Sequence, residues 1–213
     1  MLRFILLIVL CLGINGLALA KSGQPLVESQ FALVLDAKGR TLFSKNADTA
    51  TSIASITKLM TAMVVLDAGQ SMDEILSITQ EDRDRLKNTS SRLGFGARLS
   101  REKMLTIALS SSENRAAHAL ARYYPGGVPA FVKAMNRKAR SLGMNQTRFA
   151  DPTGLSPKNV STARDLARLT KAAMGYARLR QASISKRNLV YPFKNKTPLE
   201  YRVTNSFVRN DNP

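Results

Sequence analysis

Cysteine is almost absent from this sequence. The single cysteine, Cys11, lies among the first twenty residues, so a chain processed after Ala20 contains none. This excludes a disulfide framework and cysteine metal ligands from the processed chain. The chain has one histidine, His118, and metal sites usually draw on several clustered ligands. We therefore expect neither a metal nor another cofactor.

The amino terminus lacks a hydrophobic run long enough to span a bilayer. Arg3 precedes an apolar stretch at residues 4–12, and Ala18 and Ala20 occupy the −3 and −1 positions of a cleavage site. A spanning helix needs about 20 apolar residues, so we interpret residues 1–20 as a secretory signal peptide cleaved near Ala20. A retained membrane anchor is the alternative. Cleavage predicts an exported protein, and the lack of cysteine suits an exported bacterial protein.

Acidic residues are outnumbered by basic ones. The chain has 32 Lys and Arg against 15 Asp and Glu, a net charge of +17. Such a charge favours association with polyanions, and for an exported protein these include a cell-wall polymer and an anionic membrane surface. No Lys/Arg block with interleaved aromatic residues occurs, so we expect no specific binding of nucleic acid.

The hydrophobic pattern indicates one α+β domain over residues 21–213, without an internal repeat or linker. Apolar runs at residues 31–35 and 41–43 flank a glycine-containing turn and predict an antiparallel hairpin. Helical periodicity follows from Ser55 onward through the middle of the chain. Residues 189–208 are richer in Val, Tyr and Phe and predict extended chain. We expect a helical cluster packed on an antiparallel sheet.

Ser55 and Lys58 have the spacing Ser-x-x-Lys, which suggests acyl-transfer chemistry. Residues three apart on a helix are neighbours at about 5–6 Å between Cβ atoms, so the amine can reach the hydroxyl. Lys58 acts as a base at neutral pH only if burial lowers its pKa. The alternative is a capping serine and a solvated lysine.

The Ser-x-x-Lys spacing occurs three times, so position must discriminate between the copies. Ser100 with Lys103 lies at a predicted helix cap, and Ser183 with Lys186 lies in a polar stretch. A hydroxyl at a cap has a structural role. Only the copy at Ser55 begins an apolar helix, which favours it as the functional one.

Ser112 and Asn114 form a Ser-x-Asn motif at a predicted helix junction. The serine can relay a proton from Lys58 to a leaving group, and the amide can hold both a substrate carbonyl and the lysine. Ordinary helix caps are the alternative. His118 follows in an apolar helix, and no Gly-x-Ser-x-Gly elbow accompanies it. We interpret it as a packing or surface residue.

With these two motifs and the Asp-Pro-Thr-Gly-Leu-Ser phrase that opens residues 151–167, the chain resembles the low-molecular-mass penicillin-binding proteins. Within them it is most similar to the serine D-alanyl-D-alanine endopeptidases and carboxypeptidases. The resemblance implies a β-lactamase/transpeptidase-like fold, peptidoglycan peptides as substrate and β-lactams as covalent ligands. It also implies Ser55 as acylated nucleophile, Lys58 as general base, Ser112 as proton relay and Asn114 as substrate-binding residue. The identity of the base is disputed in related enzymes.

One family motif, Lys-Thr-Gly on an active-site strand, is missing from the 213 residues. Lys196-Thr-Pro resembles it, but proline has no amide to donate. We therefore expect a chain that ends before this motif and lacks its carboxy-terminal strands, which leaves the sheet incomplete. An impaired or inactive remnant that only binds cell wall is the alternative function, and a β-lactamase is a third. The choice between endo- and carboxypeptidase stays open.

Overall fold

A computed structural model describes residues 27–194 and 197–210. The chain divides into two compact units, residues 1–45 and residues 46–213, and each is described by itself. The predicted signal peptide and Lys196 lie outside the described residues. A single catalytic domain over residues 21–213 stays a prediction.

The described part of the first unit contains the hairpin predicted from the sequence. Strand β1 (Ala32–Leu35) pairs antiparallel with β2 (Thr41–Lys45). In the turn between them, the Asp36 carboxylate accepts from the Arg40 backbone N–H at 2.8 Å. Gly39 supplies the left-handed conformation, with φ +81°, that this turn requires.

The second unit is mainly helical and also contains short paired strands. Its described helices are α1 (Thr57–Asp67), α2 (Arg101–Ser110), α3 (Asn114–Arg122), α4 (Gly127–Ser141), α5 (Ala163–Ala173), α6 (Ala177–Ser183) and α7 (Ser206–Arg209). Its described strands are β3 (Thr51–Ser52), β4 (Ile75–Ser77), β5 (Arg98–Ser100), β6 (Val160–Ser161), β7 (Arg187–Val190) and β8 (Leu199–Arg202). Over residues 27–194 and 197–210, no helix is long and apolar enough to cross a membrane.

The strands pair two by two. Strand β3 pairs with β6, β4 with β5 and β7 with β8, each antiparallel. The α+β class is confirmed. The antiparallel sheet expected from the sequence is, among the described residues, divided into separate two-stranded pairs, because helices intervene between short strands along the chain.

Helix α1 forms the centre of the core. The spacing i, i+3 and i+4 puts Met60, Met63 and Val64 on one face of this helix. All three are buried, whereas Ile56, just before the helix, is exposed. The helix contacts α2, α3, α4 and α5. Helix α3 lies beside it with a series of fully buried alanines, and small side chains let the neighbouring backbones approach closely. These are Ala116, Ala117, Ala119 and Ala121.

Two elements differ from the sequence prediction. The helix expected from Ser55 opens with a 3₁₀ turn over Ala54–Ile56, and the α-helix follows it. The extended chain expected over residues 189–208 ends in helix α7. That helix forms because the Asn205 side chain accepts from the Phe207 backbone N–H at 3.0 Å, which caps its first turn.

Candidate active site

Ser55 lies in a strained turn directly before α1. The preceding residue, Ala54, has a left-handed φ of +43°, which costs a non-glycine residue about 1–2 kcal/mol. Strain of this kind is concentrated at functional sites. Gly154 packs on the turn so closely that a Cβ at this glycine would lie 2.0 Å from the Ala54 carbonyl oxygen. Ser55 itself is exposed, so the turn presents its hydroxyl to solvent.

Lys58 is 3% exposed and donates to three acceptors. Its Nζ lies 2.7 Å from the main-chain oxygen of Thr153, 2.8 Å from Asn114 Oδ1 and 3.2 Å from Ser55 Oγ. The first two are carbonyl oxygens, which accept and cannot donate. A neutral amine has two N–H groups and one lone pair. With both N–H groups on the carbonyls, the lone pair is left for the Ser55 hydroxyl.

The environment of Lys58 favours its neutral form. Burial lowers the pKa of its amine from 10.5 to about 8, while the carboxylates of Asp151 and Glu113 act in the opposite direction. At pH 7 a pKa near 8 leaves about a tenth of the lysines neutral. The condition that the sequence sets for a general base is therefore met.

Ser112 and Asn114 reach the same cluster from the junction between α2 and α3. Ser112 has a left-handed φ of +57°, and its Oγ donates to Ser55 Oγ at 2.8 Å. Asn114 begins α3, accepts from Lys58 through Oδ1 and donates from Nδ2 to Thr89 Oγ1 at 3.1 Å. The structure thus brings together the four residues that the sequence singled out.

The other two Ser-x-x-Lys copies have structural partners. Ser100 Oγ accepts from the Lys103 backbone N–H at 3.2 Å and caps α2. Ser183 Oγ donates to the Arg180 carbonyl oxygen at 2.8 Å. The geometry therefore distinguishes Ser55 from both.

The imidazole of His118 contacts the buried carboxylate of Asp82. Its Nδ1 lies 2.8 Å from Asp82 Oδ1, and Asp82 also accepts two hydrogen bonds from Arg122. The imidazole lines a cavity of about 270 Å³ together with Asn114. Its bond to Asp82 agrees with the packing or surface role expected from the sequence.

The sequence missed the contacts made by the loop over residues 150–159. Thr153 supplies a main-chain acceptor to the lysine, and Asn159 Nδ2 donates to Thr57 Oγ1 in α1 at 3.0 Å. The composition of residues 151–157 predicts a loop and nothing more. A backbone carbonyl has no signature in a single sequence, because every residue carries one.

The cluster is suited to nucleophilic catalysis. An exposed hydroxyl lies within hydrogen-bonding distance of a buried amine and of a second hydroxyl, which is the arrangement of an activated nucleophile with a base and a relay. In the parts of the chain that the structure describes, no group of three His, Cys, Asp or Glu side chains can hold a metal ion.

Comparison with known proteins gives sequence relatives over most of the chain. A family model described as "Peptidase_S11: D-alanyl-D-alanine carboxypeptidase" matches residues 19–213. The D-alanyl-D-alanine endopeptidase of Escherichia coli (strain K12) is 47% identical over 197 residues, which are 92% of this chain and 63% of that protein. The D-alanyl-D-alanine endopeptidase of Pseudomonas aeruginosa is 49% identical over 195 residues, 89% of this chain and 63% of that protein. The chain thus spans less than two thirds of either relative.

Solved structures share the fold. The crystal structure of the Streptomyces K15 DD-transpeptidase superposes with a TM-score of 0.80 at 28% sequence identity, covering 88% of this chain and 78% of that one. The transpeptidase-like fold implied by the resemblance is confirmed.

Proposed function

The chain belongs to the D-alanyl-D-alanine carboxypeptidase family, and from that premise we propose that it is a serine peptidase that cuts peptidoglycan peptides through an acyl-enzyme on Ser55. One observation carries the proposal: the exposed Ser55 hydroxyl lies 3.2 Å from a buried amine whose pKa is lowered to about 8. The two relatives named as endopeptidases favour cleavage of cross-links over removal of a terminal residue.

In the acylation step, neutral Lys58 takes the proton of the Ser55 hydroxyl as its oxygen attacks the peptide carbonyl carbon. A C–O bond forms and the carbonyl oxygen becomes negative. The adjoining start of α1 favours this charge, since helix N-terminal amides and their dipole stabilise anions.

Collapse of the tetrahedral intermediate breaks the peptide C–N bond and leaves an ester on Ser55. The departing nitrogen needs a proton. Ser112 donates its own proton to that nitrogen and takes one from the Lys58 ammonium, so the proton removed from Ser55 ends on the leaving amine. Water then attacks the ester with Lys58 again as base, which regenerates the hydroxyl and releases the acid.

Asn114 serves as the substrate-binding amide. Its Oδ1 accepts from Lys58 and one N–H of its Nδ2 group bonds to Thr89 Oγ1. An amide nitrogen has two N–H groups, so the second can donate to a substrate carbonyl. Asn114 also lines the cavity beside the site, which gives a peptide chain room to extend.

We place the reaction in the periplasm, on the wall or an anionic membrane surface. Two sequence features support this: the signal segment at residues 1–20 and the net charge of +17. Peptidoglycan carries carboxylates, which a basic protein attracts over a Debye length of about 8–10 Å. β-Lactams are the covalent ligands that the mechanism admits, because they acylate the same hydroxyl.

Labelling of the purified chain with a fluorescent penicillin tests the proposal. We expect label on the wild type and none on Ser55→Ala. Ser183→Ala is the matched control, since it removes a serine of the same spacing and should label as the wild type does. A folded wild-type sample without label contradicts the proposal. If that sample binds purified peptidoglycan without hydrolysing it, the alternative of an inactive protein that only binds cell wall is favoured.

The kind of bond cleaved is tested with two substrates, a cross-linked muropeptide dimer and a linear pentapeptide. Faster cleavage of the dimer, followed by mass spectrometry, supports an endopeptidase. Faster release of terminal D-alanine supports a carboxypeptidase. Rapid nitrocefin turnover with neither peptide cut supports a β-lactamase.

A further inference from the structure

The carboxylate of Asp151 closes the turn that holds the lysine. Its Oδ1 accepts from the Thr153 backbone N–H and hydroxyl, both at 2.6 Å, and from the Gly154 N–H at 2.8 Å. Its Oδ2 accepts from the Ser156 N–H at 2.8 Å. Side-chain oxygens of aspartate commonly cap turns in this way, but four donors on one carboxylate fix the turn on every side.

This turn sets the direction of the Thr153 carbonyl. The N–H and hydroxyl of Thr153 face Asp151, while the carbonyl of the same residue accepts from Lys58 Nζ at 2.7 Å. Thr153 is buried, so solvent has little access to that carbonyl. Moving the turn therefore moves the acceptor that orients the amine.

The same loop is fastened to α1. Thr61 Oγ1 donates to the Pro152 carbonyl oxygen at 2.6 Å. Asn159 Nδ2 donates at 3.0 Å both to Thr57 Oγ1 and to the Asp151 carbonyl oxygen. Asp151 thus belongs to a loop that is hydrogen-bonded to the helix carrying Lys58 and that also orients the Lys58 amine.

We propose that Asp151 is a positioning residue of acylation, whose carboxylate holds the Thr153 carbonyl on Lys58 and whose charge sets the pH range in which the amine is free to act. The inference rests on the function proposed for Ser55 and Lys58. It adds a residue that contacts neither of them by a side-chain hydrogen bond among the described residues.

The electrostatics of the amine support this role. Burial lowers the pKa of Lys58, and two carboxylates oppose burial: Asp151 from the loop and Glu113 from the junction between α2 and α3. Removing the Asp151 charge leaves burial opposed by Glu113 alone. The pKa of Lys58 then falls, and its neutral form persists to lower pH.

Asp151→Asn in the full chain removes the negative charge and keeps nearly the same side-chain shape, because asparagine retains one acceptor oxygen. We measure the rate of acylation by a penicillin across the pH range around 8. The acid limb of this profile should move to lower pH than in the wild type. Asp151→Ala removes all four hydrogen bonds, so we expect the same shift of the limb together with a plateau rate about ten- to a hundredfold lower.

Asp165→Asn is the matched control. Asp165 is also buried and accepts from the Gln146 backbone N–H at 2.9 Å and from Thr147 Oγ1 at 2.8 Å, but it does not act on Lys58. Its substitution should leave the limb in place. An unshifted limb, or one moved to higher pH, in an acylated Asp151→Asn variant overturns the proposal.

A milder variant decides the matter if both Asp151 variants lose the wild-type circular dichroism spectrum. Thr153→Val removes the hydroxyl, with its bond to Asp151 and the bond that it accepts from the Leu155 N–H at 3.1 Å, and keeps the charge. A lowered plateau with an unshifted limb supports the proposal, and a wild-type plateau overturns it. A folded wild type that is not acylated at any pH refutes instead the function proposed for Ser55.

Discussion

The Nζ of Lys58 donates to the main-chain oxygen of Thr153 at 2.7 Å, across 95 positions of sequence. Because this acceptor belongs to the backbone, a side-chain substitution at Thr153 removes it only by moving the loop. The Thr153 carbonyl and Asn114 Oδ1 accept the two N–H groups of the neutral amine. The lone pair of the amine then points at the Ser55 hydroxyl, from which it takes the proton.

Lys58→Ala should lower the rate of acylation by penicillin about 10²- to 10⁴-fold, the usual contribution of a general base. The wild-type rate should rise with pH through about 8, as the Lys58 amine loses its proton. Rapid-mixing kinetics measure both effects. Lys103→Ala, in the copy of the motif that caps α2, should retain the wild-type profile. A wild-type rate that does not change through this pH range would exclude Lys58 as the base.

Asn114→Asp should move the acid limb to higher pH, in the direction opposite to that expected for Asp151→Asn. The substitution is nearly isosteric and places a negative charge on the atom that lies 2.8 Å from Lys58 Nζ. A nearby opposite charge favours the protonated amine and raises its pKa. Asn136→Asp, which alters an amide that accepts from the Phe149 N–H, should leave the limb unmoved. An unmoved limb in Asn114→Asp contradicts the direct contact.

Gly154→Ala should destabilise the fold and abolish acylation. The new Cβ would lie 2.0 Å from the Ala54 oxygen and 3.0 Å from the Ser55 nitrogen, and overpacking typically costs about 1–3 kcal/mol. Gly96→Ala isolates the backbone term, since Gly96 has a similar φ of +80° with nothing within 4 Å of its Cβ position. The free energy of unfolding of that control should fall by only about 1–2 kcal/mol. Urea unfolding compares the two, and equal losses would show that the close contact is unimportant.

Asp82→Ala should lower the free energy of unfolding by about 1–3 kcal/mol, because it leaves the partly buried Arg122 and His118 without the carboxylate that they contact. Burial alone would raise the pKa of Asp82, but the hydrogen bonds from His118 and Arg122 outweigh it and lower the pKa. The stabilisation is therefore complete above the unfolded pKa of about 3.9 and is lost as pH falls through the lower folded value.

Urea titrations at neutral and acidic pH measure the contribution of Asp82. Asp48→Ala, which removes an exposed partner of Arg164, should leave the unfolding midpoint nearly unchanged. If Asp82→Ala changes stability no more than Asp48→Ala does, the contacts of Asp82 with Arg122 and His118 do not stabilise the fold.

The residues of the site could be predicted from sequence because their side chains carry the chemistry. Ser55, Lys58, Ser112 and Asn114 stand in two short motifs, and the structure brings them within hydrogen-bonding distance. The buried face of α1 follows from helical periodicity, and the hairpin follows from its turn. These signals are local, so a single sequence contains them.

The rest depends on packing between distant segments. The left-handed Ala54 is held in a turn on which Gly154 packs, and these two residues are far apart in sequence. The Thr153 carbonyl has no side-chain signature, and its direction depends on the turn closed by Asp151. Strand pairing likewise depends on contacts between distant segments. Strand β3 pairs with β6, although four α-helices lie between them in the sequence.

The position of the acyl group tests the central claim most directly. The folded chain is incubated with benzylpenicillin, digested and mapped by mass spectrometry. The mechanism predicts one penicilloyl group, on the peptide that contains Ser55, and none on the same peptide of Ser55→Ala. A stable adduct on the peptide of Ser100, Ser112 or Ser183, or no adduct on a folded chain, would contradict it.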